Sequence, residues 1–323
     1  MNKFLFLPIL FLFAACEKEI EFNGKETSPL LVVNSFVQPD SVLKVEVSRS
    51  VFFLSNAEPR NVSNATITVF VNGENKGIMT YYPYNPLDEY GGAQHYALDY
   101  APKVGDLIRY EVEVPEFGKV TAEDVVPQIT EISSVETEMY AEDEWGSTSY
   151  KIRIRFQDKP NEKNYYRIVM YKMITCSQWD NDLQKDVVYD DPYPHLVSFD
   201  SDDMVFQNDP TAGVFTEEID TYDTFPDDLI DGKFYTLTLT SRFASDDYRY
   251  GYGYGYGYKE IASDVYVCLQ SISHDYYMYL QTRAAAEDAG DFGIFTEPVQ
   301  VFSNIHGGIG ILGTYSVSVH KVK

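Results

Sequence analysis

Cysteine, histidine and positive charge are all scarce in this sequence, and each scarcity excludes a class of function. The 323 residues include three cysteines, five histidines and 25 basic against 50 acidic side chains, for a net charge of −25. Such a chain repels phosphate backbones, which excludes nucleic-acid binding. The histidines show no spacing typical of a zinc site, since they stand at positions 95, 195, 274, 306 and 320.

The short motifs of common enzyme classes are also missing. There is no G-x-S-x-G element for a serine nucleophile. Gly307, Gly310 and Gly313 precede neither a Lys-Ser/Thr pair nor a predicted helix, so they indicate a glycine-rich hairpin rather than a phosphate loop. Paired carboxylates are abundant by chance among 50 acids. We therefore predict a protein that is not an enzyme and that holds no cofactor and no metal.

The first residues have the pattern of an export signal. Lys3 precedes an apolar run over residues 4–15, which is too short to span a bilayer as a helix. The run ends in Ala14-Ala15-Cys16, which resembles a bacterial lipobox. We predict a signal peptide at residues 1–15 and lipidation of Cys16, in preference to plain secretion with an ordinary cysteine. The acidic residues that follow predict a flexible tether over residues 16–27.

Alternation of apolar and polar residues predicts a mainly β protein. Between residues 28 and 127, about seven short strands are separated by turn signals, among them Asn72-Gly73, which is typical of a hairpin. This pattern predicts an immunoglobulin-like β-sandwich with a boundary near Pro127.

Residues 128–323 predict a second, larger β-rich domain of sandwich or barrel-like form. Its predicted last strands include residues 299–302 and 309–319. One segment has a helical period instead, with Tyr276, Leu280 and Ala284 on one face, and Ser273 is a suitable N-cap. We predict a helix near residues 273–288.

The remaining cysteines and one acidic segment each allow two interpretations. Cys176 and Cys268 each lie in a predicted strand, where two buried free thiols are favoured over a disulfide. Residues 180–191 resemble a calcium loop in their spacing of aspartates. Lys185 stands where that loop needs glycine, and Asp191 where it needs glutamate, so a solvated acidic loop is favoured.

Alternating glycine and tyrosine over residues 248–258 is the most unusual feature. Tyrosine offers amphipathic contact area at low entropic cost, and glycine makes the backbone mobile. The alternatives are a low-complexity surface loop and a segment that contacts a ligand or partner. For the second we name Tyr248, Tyr250, Tyr252, Tyr254, Tyr256 and Tyr258.

Several segments carry a resemblance to a known family. Residues 271–280 and 303–313, with weaker support from residues 31–34 and 64–69, resemble a family of Bacteroidota outer-membrane lipoproteins of unknown function. That family is often encoded beside TonB-dependent receptors. The resemblance covers nearly the whole mature chain and brings no catalytic residues. Glu17, Glu19 and Glu21 after Cys16 fit the acidic pattern that accompanies export to the cell surface in such lipoproteins.

The resemblance implies a function in transport. We expect a lipid-anchored outer-membrane protein that faces the cell exterior and acts as an accessory or substrate-capturing partner of a TonB-dependent transporter. The alternative is a structural or adhesive surface lipoprotein that has no transport role.

Overall fold

The strands arise from the alternation noted above, because every second side chain of a strand faces the same side of its sheet. In the strand Leu107–Val114, buried residues alternate with more exposed ones along the whole length. The structure is a computed structural model. It describes residues 28–51, 60–85, 93–142, 148–180, 182–188, 193–207, 223–242, 258–291 and 299–322.

The described residues up to 125 form nine strands in two facing layers. They are β1 (Leu31–Val37), β2 (Leu43–Arg49), β3 (Arg60–Asn61), β4 (Thr66–Val71), β5 (Glu74–Ile78), β6 (Thr80–Tyr82), β7 (His95–Leu98), β8 (Leu107–Val114) and β9 (Gly118–Val125). The first layer has the order β1-β2-β7-β6, with β3 beside β2, and the second has the order β5-β4-β8-β9.

This strand order confirms the predicted immunoglobulin-like arrangement. If the two-residue strand β3 is left out, the remaining eight correspond in sequence to strands A, B, C, C′, D, E, F and G. The two layers are then A-B-E-D and C′-C-F-G, which is the immunoglobulin division. Met79 lies between β5 and β6, where the chain passes from one layer to the other. A core of buried aliphatic side chains, with Tyr96 and Tyr110, fills the space between the layers.

The rest of the described chain adds ten strands and two helices. They are β10 (Ile132–Glu142), β11 (Thr148–Gln157), β12 (Tyr165–Asp180), β13 (Lys185–Val188), β14 (Tyr193–Leu196), β15 (Phe199–Asp200), α1 (Met204–Gln207), β16 (Thr224–Pro226), β17 (Phe234–Ser241), β18 (Tyr258–Ile272), α2 (His274–Asp291) and β19 (Ile309–Lys321).

These strands build a second sandwich. One layer is the sheet β10-β11-β17-β15, and the other contains β12, β18 and β19. The long strand β12 pairs with β18 on one side, while the short strands β16, β14 and β13 follow one another along its other side. Phe156, Tyr166 and Phe225 lie fully buried between the layers. The sheets are open over the described residues, so of the two predicted forms the structure supports the sandwich.

The last strand joins the two sandwiches. β19 pairs with β18 through Tyr315–Lys321 and, earlier along its length, runs parallel to β1, with Ile309 opposite Val32. One sheet of eleven strands therefore crosses from one sandwich to the other. Leu312 of β19 and Ile305 belong to the core of the first sandwich. The division at residue 127 into separately folding domains stays a prediction.

The predicted helix is present as α2, and Ser273 caps it as expected. The amide of Tyr276 donates to Ser273 Oγ at 3.1 Å, and Tyr276, Tyr277 and Leu280 bury one face of the helix against the sheet. The single turn α1 was not predicted, because four residues contain too little periodicity. Among the described helices, none is long and apolar enough to cross a bilayer.

The prediction of a strand at residues 299–302 is wrong. This stretch forms no ladder with another strand. The amide of Phe302 instead donates to Thr282 Oγ1 of α2 at 2.8 Å. The segment therefore runs along the helix, where a side chain satisfies a backbone group that a ladder would otherwise satisfy.

Candidate functional site

The second sandwich has one end at which several connections meet. β10 ends where β11 begins, at the pair Glu142 and Thr148, and β17 ends opposite Tyr150. In the other layer, β12 ends where β18 begins, at the pair Gln178 and Tyr258. The far end of β11 packs on the start of β12, with the rings of Phe156 and Tyr166 5.5 Å apart. These five strand termini therefore share one end, which we call the loop-bearing end.

The chain enters the fold at the opposite end, which we call the residue-28 end. It is formed by the start of β1, the end of β2 and the end of β8. The distance between the two ends can be counted along paired strands. β19 covers six residues from Ile309 to Tyr315, which pairs with Ile272, and β18 covers a further fourteen residues from Ile272 to Tyr258. At about 3.3 Å per residue, the two ends lie on the order of 60 Å apart.

The predicted tyrosine contacts fall largely outside the described residues. Tyr248, Tyr250, Tyr252, Tyr254 and Tyr256 belong to residues 243–257, which connect β17 to β18. Tyr258 opens β18, and its backbone pairs with Gln178. The ends of β17 and β18 place both attachment points of this segment at the loop-bearing end. The tyrosine contacts themselves stay a prediction, and Cys16 also lies outside the described residues.

A polar groove of about 450 Å³ runs along β17 beside the loop-bearing end. Its lining comprises Tyr140, Lys151, Asp200, Ser201, Asp202, Asp203, Met204, Tyr235, Thr238 and Thr240. The Tyr140 side chain is 60% exposed, and Lys151 Nζ lies 4.5 Å from its ring centroid. An exposed aromatic ring, an ammonium group, carboxylates and hydroxyls together suit an open, polar ligand or a protein surface.

The wall of the groove is held by hydrogen bonds to β17. Asp203 accepts from the Tyr235 hydroxyl at 2.5 Å and from the Thr238 amide at 3.2 Å. Ser201 Oγ donates to the Thr238 carbonyl at 2.8 Å. Burial is the main reason that the pKa of Tyr235 is raised, and its bond to Asp203 acts in the same direction. Residues 200–204 are therefore fixed in place along the edge of β17, so one side of the groove is preformed.

The outer face of the same sheet carries charges in rows. Arg153 pairs with Glu138 and Arg155 with Glu136, each at 2.9 Å. Such exposed pairs contribute little to stability, about 0–1 kcal/mol each. They leave Lys151, beside Tyr140, as the basic residue of this row that faces the groove.

Three carboxylates at the opposite end of the second sandwich lie close enough to suggest a metal site, but other groups of the chain already bind to them. They are Asp158, Asp227 and Asp231. Asp158 accepts from the Tyr166 hydroxyl and, at 2.7 Å, from the Gly232 amide. Asp227 accepts from the Asn164 amide at 2.7 Å and pairs with Lys163 at 2.8 Å. We assign this cluster a structural role, because its bonds connect the turn before β12 with the turn before β17.

The segments that carry the family resemblance meet between the two sandwiches. Asp124 of β9 accepts from Ser273 Oγ at 2.6 Å and from the Thr314 amide at 2.9 Å. Burial raises the pKa of Asp124 to about 6, against the lowering effect of these bonds. Asn304 exchanges two hydrogen bonds with the Leu312 backbone, both at 2.9 Å. Ser273 thus links the two sandwiches through Asp124, while Asn304 fixes the start of β19.

Sequence reasoning missed Asp124 and Asp158, since nothing distinguishes them among 50 acids. The burial of Asp124 depends on segments more than 100 residues away in the chain. The burial of Asp158 depends on the turn at Gly232. Only the tertiary arrangement brings these partners to the carboxylates.

The acidic segment with calcium-like spacing begins as a hairpin turn. Asp180 Oδ1 accepts from the amides of Asp182 and Leu183 at 2.8 and 2.9 Å, and β13 then pairs back on β12. The backbone amides therefore use the carboxylate oxygen that a cation would need. Asp191 lies outside the described residues.

The strand register separates the two cysteines, and we expect no disulfide between them. Cys268 is buried and free, and it lies opposite Val169. Cys176 is seven residues further along β12, about 23 Å away, whereas bridged Cα atoms lie within about 7 Å. Burial raises the pKa of Cys268 to about 11, which disfavours the reactive thiolate.

Peptide mapping without reductant should therefore recover Cys176 and Cys268 in separate peptides. In a Cys16→Ser/Cys176→Ser variant, a thiol reagent should label Cys268 only after unfolding. A cross-linked peptide, or rapid labelling of the native variant at neutral pH, would contradict the arrangement.

Comparison with known proteins adds one match. The family model described as a domain of unknown function (DUF4249) matches residues 17–321. A search of curated proteins finds no match. The match covers both sandwiches and the junction, and it confirms the resemblance to a family of unknown function. The chain belongs to the DUF4249 family.

Proposed function

We propose that this protein is an outer-membrane lipoprotein, anchored through Cys16 and facing the cell exterior, that serves a TonB-dependent transporter as an accessory or substrate-capturing subunit. The proposal assigns it no catalytic step. The family resemblance noted in the sequence motivates the transporter and the bacterial source.

The separation between the residue-28 end and the loop-bearing end is the observation that carries the proposal. Residue 28, where the predicted tether ends, lies on the order of 60 Å along the strands from the loop-bearing end. An anchor at Cys16 would therefore keep the first sandwich near the bilayer and direct the groove and the connections away from it. Binding residues commonly lie on loops that a rigid scaffold positions.

The continuous sheet supports the same proposal. β19 pairs with both β1 and β18, and Asp124 and Ser273 add a direct bond across the junction. A subunit that presents a ligand or docks on a receptor at a set distance from the membrane needs such a fixed arrangement. An adhesive surface protein would also use it, and the following experiment separates the two functions.

Tagged protein, purified from gently solubilised outer membranes, should recover a TonB-dependent receptor in near-equal amount. Replacing Tyr140 by alanine should lower that recovery, because truncating an aromatic anchor costs about 2 kcal/mol, roughly a thirtyfold loss in affinity. Phe234→Ala is the matched control, since its side chain is 59% exposed but lies at the start of β17, at the other end of this strand from the loop-bearing end. Mass spectrometry and quantitative blotting measure the ratio.

Each other result has a definite meaning. Recovery of the lipoprotein without a receptor would favour the structural or adhesive alternative. Equal recovery with Tyr140→Ala and Phe234→Ala would show that the groove is not the docking site. Deletion of residues 250–257 in the same assay tests the glycine-tyrosine segment, and an unchanged set of recovered proteins would count against its predicted contact.

A further inference from the structure

Two arginines face each other at the residue-28 end of the first sandwich. Arg49 of β2 and Arg60 of β3 are register partners, and within the described part of the chain neither has an ion pair or hydrogen bond through its side chain. Like charges directly opposite on neighbouring strands destabilise a sheet. The chain has twice as many acidic as basic residues, yet no carboxylate among the described residues pairs with either arginine, so both guanidinium groups remain available to an anionic ligand.

The arginines line a groove of about 360 Å³, together with Asn61, Ser63, Asn64 and Glu116. Two positive charges against one negative leave this groove locally basic. Arginine carries a planar fork of donors that matches phosphate oxygens, and asparagine and serine can donate further hydrogen bonds. The groove therefore has the charge and the donors that a phosphate group needs.

A buried tyrosine fixes the shape of the groove. The Tyr96 hydroxyl donates to the Val62 carbonyl at 2.9 Å and accepts from the Ala65 amide at 3.0 Å. Its side chain is only 2% exposed. Residues 62–65 are thus held in position from the core, so the groove is formed before any ligand arrives.

The same end of the sandwich also exposes apolar side chains. Leu30, Ile78, Tyr82 and Tyr84 are exposed by 46, 60, 49 and 60% respectively. Leu30 exchanges backbone and side-chain hydrogen bonds with Ser50, which is next to Arg49. Exposed tyrosine rings and arginines at one end of a protein are typical of surfaces that lie at the boundary of water and lipid.

We propose that the residue-28 end rests on an anionic bilayer surface, where Arg49 and Arg60 bind the phosphate of a lipid headgroup. The inference rests on the proposed anchoring at Cys16, which would leave about a dozen residues between the lipid and residue 28. The anchor brings this end to the bilayer, and the arginine pair then sets the orientation in which the protein stands on it.

Vesicle binding tests the proposal with the full mature chain made without its lipid, as a Cys16→Ser variant. We expect binding to phosphatidylcholine vesicles that contain phosphatidylglycerol and weaker binding to phosphatidylcholine alone. Arg49→Gln/Arg60→Gln should weaken binding to the anionic vesicles about 25-fold, since each arginine near such a surface contributes about a fivefold factor. Thermal unfolding of each variant confirms that it is folded.

The matched control is Arg153→Gln/Arg155→Gln, which removes the same charge from the second sandwich and should leave vesicle binding unchanged. Equal effects of the two double variants, or binding by neither vesicle type, would overturn the proposal. Saturable binding of glycerol phosphate without vesicle binding would assign the groove to a soluble phosphate compound and also overturn it. No receptor is present in this assay, so its failure is separate from a failure of the transporter proposal.

Discussion

Replacing Gly310 by alanine is expected to destabilise the protein more than the same change at any other described glycine. Gly310 has φ of +116°, and an added Cβ would lie 2.1 Å from the Val33 carbonyl oxygen. That oxygen belongs to β1, the parallel neighbour of β19, so the two strands would have to separate. We expect a loss of more than about 3 kcal/mol in the free energy of unfolding, from backbone strain and broken pairing.

Gly77→Ala is the matched control for this substitution. Its φ is +128°, but a Cβ there would meet only Leu98 Cδ1 at 3.7 Å, which is ordinary contact. We expect a loss of about 1–2 kcal/mol from the unfavourable φ alone. Urea unfolding followed by fluorescence measures both variants. Similar midpoints for the two variants would show that β1 and β19 do not approach as closely as described.

The second large effect concerns pH and the junction. Burial raises the folded-state pKa of Asp124 to about 6 from an ordinary value of 3.8. The folded protein therefore binds this proton more tightly than the unfolded chain does. The stabilising contribution of the protonated form is fully present below about pH 4 and is lost as pH rises through 6. A shift of this size corresponds to at most about 3 kcal/mol.

Asp124→Asn removes this titration and keeps a side-chain oxygen that can accept from Thr314. We expect the unfolding free energy of the variant, relative to the unchanged protein, to rise by up to about 3 kcal/mol between pH 4 and pH 7. The difference between the two pH curves is the measured quantity, which cancels the titration of the other acids. Denaturant unfolding at several pH values gives both curves.

Asp99→Asn is the control for the charge itself. Asp99 is exposed, and the substitution removes the same negative charge without touching the junction. Its stability curve should run parallel to that of the unchanged protein. If the curve of Asp124→Asn also ran parallel, burial of Asp124 between the sandwiches would not be raising its pKa.

Much of the local structure could be predicted because it depends on neighbours in the chain. The alternation in β8 predicts a strand with one buried face, and Ser273 followed by a helical stripe predicts α2 with its cap. Asn72-Gly73 predicts the hairpin between β4 and β5, where both residues have positive φ. These features need only the period of the side chains and the conformational preferences of a few residues.

The candidate sites could not be predicted in the same way. The groove combines Tyr140, Lys151 and Asp203, which come from separate segments and meet only after β17 has paired with β11. Arg49 and Arg60 could be read as ordinary surface charges until their register was known. The glycines of residues 307–313 suggest a hairpin. At position 310, however, glycine is required because a Cβ would collide with a backbone carbonyl of β1.

The sequence by itself determined the β character of the chain, the immunoglobulin-like first sandwich, the late helix and the resemblance to its family. It did so because side-chain period, caps and turns act over a few residues. Only the tertiary structure decided that β19 joins the two sandwiches, that Cys176 and Cys268 lie far apart, and that Asp124 is buried at the junction. Those outcomes depend on which distant strands pair and in which register, and that choice is made by the packing of the whole core.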